Sequence, residues 1–206
     1  MKYHKIQTVF KREPQKPCRI IEGDWTQPEF DMLKDIQWEW TEKIDGTNIR
    51  VVWEGKDVTF EGRTDDSQIP TFLYTKLAET FPSVKMKKLY PDSIMTLFGE
   101  GYGNKIQKAG KDYIEDGCSF ILFDVYCGGV WLDRKDVEDI ADKLGIKAVQ
   151  VVGRGTLNEA IEYVRTGFES KEGKLKAEGL VLRPPVELLD KQGHRIITKI
   201  KHVDFN

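Results

Sequence analysis

Apolar and polar residues alternate through Trp38-Glu39-Trp40-Thr41 at the head of Trp38-Glu39-Trp40-Thr41-Glu42-Lys43. That period of two predicts a half-buried strand. A β-branched and aromatic run, Ile49 to Trp53, predicts a second strand, and Glu54-Gly55-Lys56-Asp57 reads as the hairpin turn into a third over 58–61. Further on, Ile94 to Phe98 and Phe120 to Tyr126 are the best candidates for buried strands, and Gly179 to Arg183 and Arg195 to Lys201 return to the strand pattern. Helical spacing appears three times. Leu73, Leu77 and Phe81 recur every four residues within 70–81. Val137, Ile140, Ala141 and Leu144 fall on one face behind a capping Asp133, and Gly145 ends that helix. Thr156 followed by Glu159 is a capping box, with Gly167 as the stop. Residues 11–17, with Pro14 and Pro17 among charges, read as an extended entry segment. Many strands with few interspersed helices predict an α+β fold rather than a doubly wound one.

Length and composition narrow this picture. A chain of 206 residues suggests a single domain over 1–206 that can bury a full core without disulfide or metal staples. With 39% hydrophobic and 32% charged residues it reads as a soluble globular protein. The net charge of −2 does not by itself announce a nucleic-acid partner, but lysines and arginines cluster around residues 85–88, 105–111 and 191–201. Cys18, Cys118 and Cys127 form no C-x-x-C pair and read as free thiols of a reducing cytoplasm. The first residues have no apolar stretch behind them, so no secretory signal or membrane partner is expected. A P-loop, a dinucleotide fingerprint, a serine-hydrolase elbow and histidines at zinc spacing are all missing from the sequence.

What remains is one ordered series of short motifs. Lys43-Ile44-Asp45-Gly46-Thr47-Asn48 sets a lysine two residues before an acid-glycine turn, between two strands. Glu61-Gly62-Arg63-Thr64, Phe98-Gly99-Glu100-Gly101, Phe120-Ile121-Leu122-Phe123-Asp124, Glu178-Gly179-Leu180-Val181 and Lys199-Ile200-Lys201 follow in that order. A lysine becomes a nucleophile only when it loses its proton, through desolvation or a neighbouring cation. Glycine lets a phosphate approach the backbone, and aspartate closes its own turn. Lys199 and Lys201, two apart on a strand, point to one face and suit an anion held between them.

The series resembles the covalent nucleotidyltransferases, the superfamily of polynucleotide ligases and mRNA capping enzymes. It is most similar to the bacteriophage RNA ligase 2-like family, and the resemblance runs from about residue 38 to residue 205. It implies antiparallel sheets flanked by helices, with the nucleotide in the groove between sheets. It also implies an ATP-dependent RNA ligase that acts through a lysyl-AMP on Lys43, requires Mg²⁺ or Mn²⁺, and joins RNA ends or RNA-containing nicks as a monomer. By the same resemblance Glu42, Asp45, Gly46, Asn48, Arg63 and Glu100 contact the nucleotide, and Phe123 stacks on the purine. Glu178 serves the nucleotide and the metal, Lys199 and Lys201 hold the α-phosphate, and Arg183 supports them. From the residues alone, Phe123 fits a core position as well as a stacking one. DNA ligases and capping guanylyltransferases carry arginine where this chain has Asn48, and usually add an oligonucleotide-binding domain after the last motif. Their catalytic domains, and a non-catalytic module that binds nucleic-acid ends, are the alternatives. No appended C-terminal domain is expected after Lys201.

Overall fold

The computed structural model describes residues 2–64 and 66–205, with the backbone alone described at Pro17 and Cys18. The elements in chain order are β1 (Gln7–Thr8), β2 (Phe10–Glu13), β3 (Lys16–Trp25), α1 (Pro28–Met32), β4 (Trp38–Glu42), β5 (Thr47–Trp53), β6 (Val58–Glu61), α2 (Thr71–Thr80), α3 (Ser83–Leu89) and β7 (Met95–Gly103). They continue with α4 (Gly110–Tyr113), β8 (Cys118–Cys127), β9 (Val130–Trp131), α5 (Arg134–Leu144), β10 (Lys147–Ala148), β11 (Val151–Gly155), α6 (Leu157–Thr166), β12 (Gly179–Arg183), β13 (Thr198–Lys201) and a 3₁₀ turn, His202–Phe205. This is the expected α+β class. No helix among the described residues is long and apolar enough to cross a membrane.

The chain folds as two compact units. One holds residues 1–3 and 45–149, the other residues 4–44 and 150–206.

In the first unit, a sheet runs in the order β10-β8-β7-β5-β6, with β9 paired to β8. Its pairings are antiparallel except for β10 on β8. Odd positions of β5 and β7 (Ile49, Val51, Trp53, Met95, Leu97) face a core shared with Leu73 and Leu77 of α2, Met86 of α3, and Val137, Ile140 and Leu144 of α5. Strand alternation sends Asn48, Arg50, Phe98 and Glu100 to the other face. The two punctuated helices form as expected. The Asp133 side chain accepts from Asp136 N and Gly145 takes the left-handed conformation that glycine adopts without penalty.

In the second unit the order is β1-β13-β12-β4-β11, and β2 and β3 form a separate ribbon. Helix α6, started by the Thr156–Glu159 capping box, backs the sheet: Leu157, Ala160, Ile161 and Val164 pack with Trp38, Trp40, Leu180, Leu182 and Ile200. The opposite face therefore carries Glu39, Thr41 and Lys43, Val181 and Arg183, and Lys199 and Lys201.

Three local expectations change. Residues 11–17 are not a plain extended segment: the chain turns at Pro14 and Gln15, and β2 pairs back onto β3. The Phe10 and Trp25 rings lie 4.7 Å apart and give that ribbon its apolar contact. The last strand begins at Thr198 rather than Arg195: the backbone at Arg195 bridges Leu189 instead, and the buried Arg195 side chain makes a bidentate pair with Glu187 at 2.7 Å. Arg195 therefore does not belong to an exposed basic patch. Finally, the strand expected over Ile94 to Phe98 runs from Met95 to Gly103, so Glu100 lies within β7. Gly99 and Gly101 allow this: a Cβ at Gly99 would lie 2.2 Å from the Phe120 ring, and one at Gly101 2.7 Å from Leu73.

Candidate active site

On the second unit, cross-strand register gathers the predicted cations. Lys43 N–H donates to Gly179 O at 2.9 Å, and Gly179 is the partner of Lys201. Gly179 thus stands between the two lysines in one row across the sheet. It cannot be larger, since a Cβ there would lie 2.0 Å from Ile200 O. The neighbouring row is Thr41, Val181 and Lys199. Glu178 joins the lysines: its Oε2 is 2.5 Å from Lys43 Nζ, and its Oε1 pairs with Lys201 Nζ. The three side chains remain 22%, 17% and 29% exposed for Lys43, Glu178 and Lys201. One carboxylate between two ammonium groups leaves a net positive charge on this face, with Lys199 beside it. Arg183 lies further along, opposite Glu39, which also holds Arg154 at 2.9 Å.

The end of β13 is fixed from outside the motif. Asp204, fully buried, accepts from Lys201 N at 2.9 Å and pairs with Arg12 at 2.5 Å. No sequence pattern singled out Asp204 or Arg12. Glu42 has the parity of the tryptophans and points away from the lysine row. It accepts from Ser170 Oγ at 2.5 Å and from Lys171 N at 2.7 Å, and is almost wholly buried. Burial raises its pKa above the ordinary carboxyl value, against the hydrogen bonds from Ser170 and Lys171 that lower it.

On the first unit, Asn48 and Glu100 are direct cross-strand partners on the face away from the helices. The Asn48 Oδ1 is buried with no hydrogen-bond partner among the described residues. A buried acceptor left unpaired is costly unless something else supplies the donor. Gly46 packs against β7, where a Cβ would lie 2.4 Å from Gly101 O. Arg63 is exposed on the loop after β6. Arg50, itself 2% exposed, holds that loop through Nε–H to Gly62 O at 2.9 Å and a pair with Glu61 at 2.9 Å.

Phe123 resolves an ambiguity of the sequence. Gly99 pairs with Leu122 and Phe98 with Asp124, so Phe123 is the extra residue of a β-bulge. The bulge keeps Phe123 out of the helix-backed core. Its ring meets Tyr3 edge-on at 5.2 Å, and Tyr3 also packs on Phe98 at 5.1 Å and donates from its hydroxyl to Asp124 Oδ2 at 2.6 Å. Tyr3 lies far from every motif in the chain and carried no sequence signal.

Among the described residues no group of three or more His, Cys, Asp or Glu side chains could hold a metal ion. Glu178, beside the lysine row, is the carboxylate that would meet a hydrated Mg²⁺ or Mn²⁺ through its water shell, and phosphate would have to supply further ligands.

Comparison with known proteins follows the same line. The sequence model of a family described as RNA ligase matches residues 36–201. No curated protein matches the chain by sequence. Among solved structures, a point variant of the RNA ligase of Naegleria gruberi without ligand aligns at a TM-score of 0.70 with 18% identity, over 100% of this chain and 56% of that one. Another variant of that ligase, with ATP and Mn, gives 0.70 and 18% over 98% and 56%. The same ligase with PPi gives 0.65 and 21% over 97% and 61%. The likeness is one of fold, and this chain spans a little over half the length of those it matches.

Proposed function

As the chain belongs to the RNA ligase family, we propose that it is an ATP-dependent RNA ligase that works through a lysyl-AMP on Lys43. The observation that carries this reading is the row Lys43–Gly179–Lys201, bridged by Glu178 and flanked by Lys199. Attack by the Lys43 amine on the α-phosphorus of ATP forms a P–N bond, breaks the P–O bond to pyrophosphate, and requires that the amine shed a proton. Glu178 Oε2, 2.5 Å away, is placed to receive it. Lys199 and Lys201 face the charge that builds on the phosphoryl oxygens. A bound Mg²⁺ or Mn²⁺ would neutralise further phosphate charge, anchored to Glu178 through water.

The first unit supplies recognition in this reading. Phe123 offers a ring to the purine, Glu100 offers an acceptor to ribose hydroxyls, Asn48 lies near the reacting phosphates, Asp45 and Gly46 shape the turn, and Arg63 offers its fork of donors to a phosphate. Glu42 is assigned to the nucleotide site through the loop it ties down at Ser170 and Lys171. The chain passes between its two units at residues 3–4, 44–45 and 149–150, and the family match spans both, which supports reading 1–206 as one adenylation domain. AMP then passes from Lys43 to an RNA 5′-phosphate, and a 3′-hydroxyl displaces it. Asn48, where DNA-joining and capping relatives carry arginine, supports RNA as the substrate. Unpaired thiols at Cys118 and Cys127 support a cytoplasmic setting.

Labelled ATP with Mg²⁺ tests the reading. Wild type should acquire an acid-labile, base-stable label, Lys43→Ala none, and nicked duplexes should be sealed preferentially when RNA lies on the 3′-hydroxyl side. Undiminished labelling of Lys43→Ala, or equal sealing of all-DNA nicks, overturns it.

A further inference from the structure

The turn that follows the nucleophile is held by a segment carrying no motif. Residues 103–113 link β7 to the end of α4 and touch the turn twice. Gln107 Nε2 donates to Gly46 O at 2.9 Å. The Tyr113 hydroxyl accepts from Asp45 N–H at 3.2 Å. Both contacts are to backbone, so they act on the path of the chain rather than on a side chain.

The segment is built to hold that position. Lys105 and Gln107 have φ of 65° and 56°, the only described residues other than glycine with positive φ. Side chains rarely adopt that conformation, and it persists where surrounding contacts over-determine it. Those contacts are present. Ile106, between the two, is 4% exposed and belongs to the first unit's core. Ile106 N–H donates to Gly103 O at 3.0 Å and Asn104 N–H to Gly117 O at 2.9 Å. Gly110 lies so close that a Cβ there would be 2.0 Å from Gly103 O. Tyr113 is set edge-on against Tyr102, with centroids 5.8 Å apart. On the far side of the turn, Gly46 rests on Gly101 O. The turn is thus clasped between β7 and the 103–113 segment.

We propose that residues 103–113 are a brace for the Asp45–Gly46 turn, with Gln107 and Tyr113 as positioning residues for adenylation. Neither touches a reacting atom. Each fixes one peptide unit of the turn, and Lys43 lies two residues before it. This inference rests on the lysyl-AMP reading for its effect on rate, but not for its effect on the turn.

Two variants remove these contacts with little change of shape. Gln107→Met keeps the length and loses the donor; Tyr113→Phe keeps the ring and loses the acceptor. Amide hydrogen exchange at Asp45 and Gly46 is the first readout, and it needs no activity. The Asp45 amide should exchange at least about tenfold faster in Tyr113→Phe, as a local opening no longer held by its hydrogen bond. The second readout is the rate of Lys43 labelling at saturating ATP. It should fall about 10- to 100-fold in either variant, the scale on which a displaced group slows a reaction. Binding of ATP by calorimetry and the melting temperature should hardly move. Unchanged exchange at the turn overturns the brace, whether or not the protein forms lysyl-AMP. So does a lowered melting temperature with normal labelling per folded molecule. Faster exchange in Tyr113→Phe, with a wild type that never labels, would uphold the brace and sink the adenylation reading instead.

Discussion

The two units use their sheets in the same way and hold their functional faces by different means. Each sheet buries one face under helices and carries most of the residues assigned to the proposed site on the other or at its end. On the second unit that face is organised by charge: Glu178 lies between Lys43 and Lys201, and Glu39 faces Arg154 and Arg183. On the first unit close backbone approach dominates instead: Gly99 and Gly101 sit where a Cβ would collide on the core side of the sheet, Gly46 where one would meet β7, and a bulge turns Phe123 out of that core. Ion pairs that remain partly exposed contribute little to stability, about 0–1 kcal/mol each. Close packing contributes a great deal. The charged face should therefore tolerate substitution in the fold and fail in the chemistry, and the packed face should do the reverse.

The largest effect that tests this contrast is at Glu178. Glu178→Ala should slow adenylate formation by about 10²- to 10³-fold, within the range for removing a positioned proton acceptor. Its melting temperature should stay near that of wild type, and Lys201→Met should behave alike. Unfolding of either variant, with normal activity per folded molecule, would erase the distinction between the two faces.

The packed face is tested at Gly99. A Cβ there would lie 2.2 Å from Phe120 Cζ and 2.4 Å from Ile121 O, and the second obstacle is backbone that cannot rotate away. Gly99→Ala should lower stability by roughly 1–3 kcal/mol, as overpacking of a core does. Denaturant unfolding measures this directly. An unchanged midpoint would mean that β7 and β8 can separate at the bulge at no cost.

The smallest effect is at Glu42, the buried acid of the second unit. Burial raises its pKa above the ordinary value of 4.5, so the folded chain holds this proton more tightly than the unfolded chain. Stability from this group is then fully present below the ordinary value and is lost as pH rises through the folded-state value. Glu42→Gln removes the titration. The stability of wild type relative to the variant should therefore decline as pH rises from about 4 toward neutrality. A gap that widens in favour of wild type over that range would show that the hydrogen bonds from Ser170 and Lys171 outweigh burial, and that Glu42 belongs with the charge-organised set.

Features that depend on neighbours in the chain were legible before any coordinates. The Asp133 and Thr156 caps act over three residues, and α5 and α6 begin and end where those caps and their glycines place them. The order of motifs, the alternation through β4 and the pairing of Lys199 with Lys201 on one face need only periodicity. The short helices α1, α3 and α4 lack side-chain caps and were not read, and α3 buries only Met86. Distant contacts were left to the tertiary structure, because register between strands is a property of two segments and not of one. Glu178 meets Lys43 across 135 residues, Tyr3 meets Asp124 across 121, and Gln107 reaches Gly46 across 61. Phe123 is the clearest case. Alternation alone allows it either face, and only the slip between Phe98 and Gly99 turns it away from the core.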